Sequence, residues 1–309
     1  MRTRVEHADV CLPQALTHLP TRTLLIGSSG QLGRALAVRF AGRTLTTASH
    51  QHARGEDVRI DLGDASATQS ALRDARPDLI LVAGAMCNVD RCETEPAICE
   101  RTNTRGPAVV AEYARTHGAR VVLFSTDHVF DGTRAAYVET DTVNPLNVYA
   151  RSKAFAEDAL RELVPDRHLI VRTGWVYGPD WQRRNFVLRL VDRVRAGEQV
   201  PVPGDQWGSP TYTDDIASAT RHLVDRGEAG TFHATGPDLL NRVALAQEIC
   251  RKFGLDLTRL LDQPTSALGQ PARRPLRVRL DCRKLQATGA VPFRTVAAGL
   301  GSLAEAGDV

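Results

Sequence analysis

The chain has 309 residues, of which 42% are hydrophobic and 24% are charged, and its formal net charge is +3. No apolar run approaches the roughly 20 residues that a membrane-spanning helix needs, and the basic residues are dispersed among acidic ones rather than gathered in a run. Neither a membrane protein nor a nucleic-acid-binding protein is therefore indicated, and the length suits a globular protein of one large or two smaller domains.

The first residues and the cysteines say little about function. Residues 1–21 carry scattered charges and two prolines but no apolar segment typical of a signal peptide, so we expect a poorly ordered N-terminal extension without an assigned function. None of the six cysteines forms a C-x-x-C pair. This favours buried free thiols in a reducing cytoplasm over a metal site or disulfides.

The first predicted unit is a strand, a glycine turn and a helix. The apolar run 23–26 precedes Gly27, Gly30 and Gly33, and helical alternation follows over residues 34–41. The first glycine permits the tight turn, the second lets backbone approach a pyrophosphate, and the third lets the helix pack on the strand. The spacing is G-x-x-G-x-x-G rather than G-x-G-x-x-G, but its place in the chain predicts a dinucleotide-binding unit.

The region after the second predicted strand, 44–47, favours NADPH as the cofactor. Many NAD-specific folds carry an acidic residue at the end of this strand to hold the ribose 2′-hydroxyl. Here no carboxylate occurs before Glu56, and the segment instead offers a hydroxyl, two histidines and an arginine. These are Ser49, His50, His52 and Arg54. They would tolerate a 2′-phosphate, so NADPH is predicted and NADH is possible.

Two further strands bring small and polar residues to one edge of the predicted sheet. A helix over 65–76, with Asp64 as its N-cap, leads into the continuous apolar run 79–82. The small residues that follow this run are Ala83, Gly84 and Ala85. After a helix over 96–117, interrupted near Gly106 and Pro107, a second apolar run ends in Ser125, Thr126 and Asp127. Ligands of open α/β sheets bind at this edge.

Tyr149 and Lys153 are the strongest candidates for chemistry. Their spacing of four places both side chains on one face of a helix, one turn apart. A Lys ammonium beside a Tyr stabilises the phenolate, which lowers the Tyr pKa from about 10 and makes the group a general acid or base. The hydroxyl of Thr126, delivered to the same edge, would hold a carbonyl oxygen for protonation. An isolated Y-x-x-x-K is more often a surface pair, so the surrounding motifs carry the argument.

The alternation of strands and helices predicts a doubly wound parallel sheet. Its rhythm changes after residue 179, where helices are predicted over 185–196, 213–225 and 243–253. We therefore expect a dinucleotide-binding domain over 22–174. Residues 175–309 would mainly form a smaller substrate-binding domain, with segments near 213–235 returning to the first.

Five motifs in order resemble a known family. They are the glycine turn, Ser-Thr-Asp-x-Val-Phe-Asp-Gly from Ser125, Tyr149-x-x-x-Lys153, Arg-Thr-x-Trp-Val-Tyr-Gly from Arg172, and Asp-Gln-x-Gly-x-Pro-Thr from Asp205. Over residues 23–285 the chain resembles the extended short-chain dehydrogenases/reductases, and within them the dTDP-4-dehydrorhamnose reductases. The resemblance implies a Rossmann-type doubly wound α/β fold with a smaller C-terminal substrate-binding domain. It also implies NADPH-dependent reduction of the C4 ketone of a nucleotide-activated 4-keto-6-deoxyhexose in deoxysugar biosynthesis.

The resemblance assigns roles to matching positions. Tyr149 would donate a proton to the C4 oxygen, Lys153 would bind the nicotinamide ribose and lower the pKa of Tyr149, and Thr126 would hydrogen-bond the substrate oxygen. The other cofactor contacts would be Gly27, Gly30, Gln31, Leu32, Gly33, Asp61, Leu62, Ala83, Gly84 and Ala85. The substrate contacts would be Asn88, Val89, Trp175, Asn185, Gln206, Arg273 and Arg274, the two arginines pairing with the diphosphate.

The chain departs from the family at two positions near the site. His128 stands where Tyr is common, and Ala150 where Gly is common. The alanine suits a helix. His128 could alter the pocket and add a group that titrates near pH 6.5, or could simply pack under the loop. Some family members bind magnesium through interface carboxylates, but no matching carboxylates are found here and no metal is expected. A homodimer is possible.

Two other functions stay open from the sequence. A 4,6-dehydratase or 4-epimerase could use the same fold, but dehydratases carry Glu after Ser-Thr-Asp, where this chain has His128. A non-catalytic NADP-binding subunit is the second alternative, because the regulatory β subunit of methionine adenosyltransferase is similar in the same motifs. The intact set of Thr126, Tyr149 and Lys153 argues against such a loss of chemistry.

Overall fold

The computed structural model describes residues 22–50 and 57–307. The predicted N-terminal extension, 1–21, lies outside the described residues, and so do His52 and Arg54 of the predicted 2′-phosphate region. The helices, in chain order, are α1 (Gln31–Phe40), α2 (Ala65–Ala75), α3 (Val89–Thr94), α4 (Pro96–Glu100), α5 (Gly106–His117), α6 (Val148–Leu163), α7 (Phe186–Arg195), α8 (Thr213–Asp225), α9 (Arg242–Phe253), α10 (Arg283–Ala287) and α11 (Val296–Glu305).

In the described part of the chain, seven parallel strands form the central sheet. The strands, in chain order, are β1 (Arg22–Ile26), β2 (Thr44–Ser49), β3 (Val58–Arg59), β4 (Leu79–Val82), β5 (Arg120–Thr126), β6 (His168–Thr173), β7 (Val176–Tyr177), β8 (Val200–Pro203), β9 (Trp207–Gly208), β10 (Thr211–Tyr212), β11 (Gly230–His233), β12 (Leu240–Asn241) and β13 (Leu260–Gln263). Across the sheet the order is β3-β2-β1-β4-β5-β6-β11. The order reverses between β1 and β4, which is where open α/β sheets bind their ligands.

Helices cover both faces of this sheet because apolar side chains of its strands alternate between two cores. Leu24 and Ile26 of β1 belong to one core, together with buried residues of α2, α5 and α6. Leu25 points to the opposite core, which contains buried residues of α1 and α8. Two buried faces explain why these strands read as continuous apolar runs. The predicted Rossmann-type doubly wound parallel sheet is confirmed.

The structure differs from the prediction of one helix over 96–117. The helical path starts earlier, with α3 and α4, and a π-helical turn at Arg101–Arg105 precedes α5. Pro107 has no N–H to donate to the preceding turn, so an α-helical ladder cannot continue through it unchanged. A Cβ built on Gly106 would lie 2.6 Å from the carbonyl oxygen of Leu62. Glycine at this position therefore lets the helix approach the loop that follows β3.

A further core lies among the C-terminal helices. Buried residues of α7, α9 and α11 pack with β8, and β8 pairs in parallel with β13. Helix α8 and strand β11, which lie between α7 and α9 in the chain, do not join this core. Instead α8 packs against α1, and β11 pairs with β6 at the edge of the main sheet. Within residues 22–50 and 57–307, no helix combines the length and the apolar character needed to cross a membrane.

Candidate active site

The start of α6 is held by two side chains from outside the helix. Asn147 is its N-cap, and its Oδ1 accepts a hydrogen bond from the Ala150 N–H at 2.8 Å. The Glu93 carboxylate accepts from the Val148 N–H at 2.7 Å. Each contact satisfies an N–H that has no partner inside the helix. Tyr149 and Lys153 therefore project from a helix whose first turn is fixed.

The pKa of Tyr149 moves in the direction opposite to the sequence expectation. Burial raises the pKa of the phenol well above its ordinary value, and the nearby Cys87 adds to that rise, whereas the Thr126 hydroxyl opposes it. Desolvation disfavours the phenolate more than the surroundings stabilise it. The expected lowering of this pKa by Lys153 is thus wrong for the protein alone. Tyr149 is protonated at neutral pH, which is the form that a proton donor needs.

Lys153 is a buried cation with free donors. Its side chain is 2% exposed, and its ammonium has no hydrogen-bond or ion-pair partner in the part of the chain that the structure describes. Burial lowers its pKa, while the nearby Cys87 thiol and the Glu157 carboxylate oppose the shift. Buried ammonium groups normally have polar partners. The three free donors therefore fit a polar ligand such as the hydroxyls of a ribose.

Thr126 and Asp127 reach the same place from the end of β5. The Thr126 hydroxyl donates to the Asp127 carboxylate at 3.2 Å, and the His128 N–H donates to the Thr126 oxygen at 3.2 Å. Burial raises the pKa of Asp127. A Cβ on Gly174 would lie 2.5 Å from the Asp127 carboxylate, so the glycine after β6 makes room for it. Thr126 therefore lies beside Tyr149 and within a hydrogen-bonded loop.

The glycine turn is shaped by contact with the loop after β4. Gly27 has φ +90°, and a Cβ built on it would lie 2.3 Å from the backbone nitrogen of Gly84. A Cβ on Gly33 would lie 2.1 Å from the Gly27 oxygen. Both positions thus require glycine for packing. A Cβ on Gly30 would meet only the Gly27 oxygen, at 3.4 Å, so the protein itself does not require glycine there. Close approach of a ligand is the reason that fits.

The other expected cofactor residues surround this turn. Gln31 donates to the Val176 carbonyl at 3.3 Å, and Asp61 accepts from the Gly63 N–H at 2.8 Å. Leu32 and Ala83 pack at the edge of the α1-side core. Leu62 is buried, and a Cβ built on Gly84 would lie 3.4 Å from its side chain. Ala85 continues the loop of Gly84. Ser49, at the end of β2, is buried, and its hydroxyl has no hydrogen-bond partner among the described residues. These contacts fit a dinucleotide whose adenosine lies near β2.

The structure brings only some of the expected substrate residues together. Trp175 follows β6 with φ +45°, and the guanidinium of Arg242 lies 3.5 Å above its ring. Asn185 caps α7 and donates to Gln31 at 3.1 Å, which joins the cofactor side of the cleft to the C-terminal helices. Gln206 donates to Thr265 at 3.1 Å, so its amide is already engaged.

The remaining substrate candidates differ in their freedom to bind. Asn88 caps α3, and Val89 is the first residue of that helix. The Arg273 side chain is exposed, and its backbone oxygen accepts from Asn147 at 2.8 Å. Arg274 instead forms a two-pronged ion pair with Asp90, at 2.7 and 3.0 Å. The expectation that Arg274 is free for a diphosphate does not agree with this pairing.

Several residues near the site have no role in the sequence expectations. Asn103, in the π-helical turn, donates to the Met86 carbonyl at 3.0 Å and to the Ser152 hydroxyl at 3.2 Å. The Ser152 hydroxyl in turn donates to the Tyr149 carbonyl at 2.7 Å. Asn103 therefore ties the loop after β4 to the helix of Tyr149 and Lys153. Its neighbours Thr102 and Thr104 are polar too, so no local sequence pattern singles Asn103 out.

The cysteines that the structure describes are free, as expected, but not all of them are buried. Among those described, Cys92, Cys99 and Cys250 are buried and Cys282 is partly buried, whereas Cys87 is exposed. Cys87 lies in the loop after β4, near both Tyr149 and Lys153.

Comparison with known proteins agrees with this geometry. The family model of the RmlD substrate binding domain matches residues 21–308. The dTDP-4-dehydrorhamnose reductase of Streptomyces griseus is 35% identical over 282 residues, which cover 88% of this chain and 90% of that protein. The enzyme of the same name from Escherichia coli is 35% identical over 274 residues, with 85% and 90% covered. The structure of dTDP-4-dehydrorhamnose reductase from Bacillus anthracis in complex with NADP matches with a TM-score of 0.84 at 27% identity, covering 93% of this chain and 99% of that chain. The chain therefore belongs to the dTDP-4-dehydrorhamnose reductase family.

Proposed function

We propose that the protein reduces the C4 ketone of a nucleotide-activated 4-keto-6-deoxyhexose with NADPH, as a step of deoxysugar biosynthesis. One observation carries the proposal. Tyr149 is protonated and near the hydroxyl of Thr126, and the unpaired ammonium of Lys153 belongs to the same helix, one turn further on. The relatives act on dTDP-linked sugars by their names, so a dTDP sugar is the proposed substrate.

The side chains of this site account for the proton in the reaction. NADPH, when bound, supplies the hydride. Tyr149 donates its phenolic proton to the ketone oxygen. The raised pKa of Tyr149 keeps that proton on the phenol until the ketone oxygen becomes basic as the hydride arrives. The Thr126 hydroxyl, which donates to Asp127 in the protein alone, would turn its hydrogen toward the same ketone oxygen and orient it. Lys153 binds the nicotinamide ribose through its free donors and places a positive charge near the phenolate that remains.

The finer assignments belong to the same proposal. The glycine turn and the loop after β4 would hold the dinucleotide, with Ser49 near its adenosine ribose. Trp175 would line the sugar pocket, where Asn185 joins the two sides of the cleft. Residues 22–174 would form the cofactor domain, and 175–309 mainly the substrate domain. We also propose a cytoplasmic protein and a homodimer, both of which rest on the family alone.

The two alternatives make different demands on the site. Water elimination needs an acid–base pair beside Asp127, but the adjacent residue is His128, and burial lowers the pKa of that imidazole. A purely regulatory subunit would bind NADPH without turnover. The protonated Tyr149 next to a buried, unpaired Lys153 gives that reading no support, because such a costly arrangement fits chemistry better than cofactor binding alone.

The first experiment follows NADPH oxidation by absorbance, with dTDP-4-keto-6-deoxy sugars of both the gluco and the lyxo configuration. We expect oxidation with one of them, and a fall of about 10²–10⁴-fold in kcat for Tyr149→Phe. The same variant should bind NADPH with the affinity of the wild type, measured by fluorescence. Retained turnover in Tyr149→Phe would contradict the assignment of Tyr149. Tight NADPH binding without reduction of either sugar would favour the regulatory alternative.

A further inference from the structure

Arg242 is a positively charged side chain in the cleft that no sequence motif singled out. It is the first residue of α9, and its backbone N–H donates to the Gln206 carbonyl at 3.0 Å. Its guanidinium lies 3.5 Å from the centre of the Trp175 ring and 4.7 Å from that of Phe186. Two aromatic rings therefore hold the guanidinium in a fixed position on the Trp175 side of the cleft.

This guanidinium has no counter-ion. Among residues 22–50 and 57–307, no carboxylate comes within ion-pair distance of it, and no hydrogen bond from its side chain is formed. Burial lowers the pKa of Arg242 to about 9, and the charges of Arg189 and Arg274 act in the same direction, with only Asp127 opposing them. Arg242 is half-buried, and charges that proteins withdraw from water are normally paired, because an unpaired one loses hydration without compensation.

The other charged residues around Arg242 do not neutralise it. Arg274 is neutralised by Asp90 at 2.7 Å. Arg189, on α7, is exposed, and its side chain forms no ion pair in the described part of the chain. Asp127 is an acid whose charge acts on Arg242, and burial raises the pKa of Asp127. The net positive charge between α7 and α9 thus fits an anion that the protein does not itself provide.

We propose that the Arg242 guanidinium binds the diphosphate of the nucleotide-sugar substrate. The inference rests on the proposed function for the class of substrate, and it moves the diphosphate contact from Arg274, which is engaged with Asp90, to a side chain that is free. A planar guanidinium can donate two parallel hydrogen bonds to phosphate oxygens while its face stays on an indole ring. The sugar would then lie between this anchor and Tyr149, with Trp175 alongside.

The test measures the binding of dTDP and of thymidine by calorimetry, so that the diphosphate is read separately from the sugar and from turnover. We expect Arg242→Gln to weaken dTDP binding by about 10–100-fold, since charge-assisted hydrogen bonds are lost, and to leave thymidine and NADPH binding unchanged. Arg251→Gln is the matched control. Arg251 lies on the same helix but is exposed and paired with Glu248 at 2.7 Å, and its replacement should change none of the three affinities.

Each outcome decides the proposal. A dTDP affinity of Arg242→Gln within twofold of the wild type would overturn it, and so would a wild type that does not bind dTDP. Unchanged dTDP binding with a raised KM for the keto sugar would place Arg242 on the sugar instead. If Arg242→Gln does not fold, Arg242→Lys, which keeps the charge but loses the two-pronged contact, should weaken dTDP binding by about tenfold. Arg242-dependent dTDP binding without NADPH oxidation would retain this inference and contradict the proposed function.

Discussion

The imidazole of His128 meets the ring of Tyr149 edge to face, with the ring centroids 6.2 Å apart. Its Nδ1 is buried and has no hydrogen-bond partner among the described residues. Burial lowers the pKa of His128, and the charges of Arg274 and Arg242 add to that effect while Asp127 opposes it. The ring is therefore neutral at pH 7, beside the proton donor, with a nitrogen that no described residue satisfies.

Replacing His128 by Phe separates a packing role from a substrate role. The change keeps an aromatic ring next to Tyr149 and removes a buried polar atom without a partner, so the free energy of unfolding should stay the same or rise by about 1 kcal/mol. If the imidazole hydrogen-bonds the substrate, KM for the keto sugar should rise about tenfold, with unchanged NADPH affinity. His117→Phe, at an exposed position on α5, serves as control. An unchanged KM would show that His128 only packs against the loop.

Glu157 lies one helical turn beyond Lys153, and its carboxylate holds together the interior behind the site. The carboxylate accepts from Arg172 at 2.7 Å and from the Ser125 hydroxyl at 2.5 Å, and Glu157 and Arg172 are 0% and 1% exposed. Glu157→Gln leaves a buried guanidinium without its counter-charge. We expect the free energy of unfolding in urea to fall by about 3–5 kcal/mol.

A control on the same carboxylate tests that explanation. Arg161 also pairs with Glu157 at 2.7 Å, but its side chain is 36% exposed. Water screens such a pair, so Arg161→Gln should cost less than about 1 kcal/mol. Similar losses for the two variants would mean that the buried Arg172 pair has no special weight.

How far the sequence predicts this site depends on whether a feature is local. The spacing of Tyr149 and Lys153 fixes their helical face, and the glycine turn fixes its own position after β1, because both depend on neighbouring residues. The sign of the Tyr149 pKa shift depends instead on burial by the whole fold. The engagement of Arg274 depends on Asp90, which is 184 positions away in the chain. The spacing of residues within one helix or strand could not have shown the pKa shift of Tyr149 or the pairing of Arg274.

The contact between Gly27 and Gly84 offers a test of the turn itself. A Cβ at Gly27 would lie 2.3 Å from the Gly84 nitrogen, and φ of +90° is already unfavourable for a residue with a side chain. Gly27→Ala should therefore lower the free energy of unfolding by at least about 2 kcal/mol and weaken NADPH binding. Gly42→Ala, where a Cβ would meet nothing within 4 Å, should stay within about 0.5 kcal/mol of the wild type. Equal stability of the two variants would contradict the close contact.

His233 makes the stability of the protein depend on pH. It is buried against Arg172, with its Nε2 3.4 Å from that guanidinium, and burial followed by the Arg172 charge lowers the pKa of His233 to about 4. The ordinary pKa of a histidine is about 6.5, so the unfolded chain takes up a proton below pH 6.5 that the folded chain refuses until about pH 4. The contribution of His233 to the free energy of unfolding is therefore fully present above pH 6.5 and is lost as the pH falls toward 4.

The size of that loss follows from the two pKa values. At pH 5 the contribution of His233 should be about 2 kcal/mol smaller than at pH 8. Urea unfolding at both pH values measures it, and His233→Gln, which cannot take up a proton, should remove about 2 kcal/mol of the difference. A pH dependence that His233→Gln does not alter would mean that His233 is charged in the folded protein, and that Arg172 does not exclude its proton.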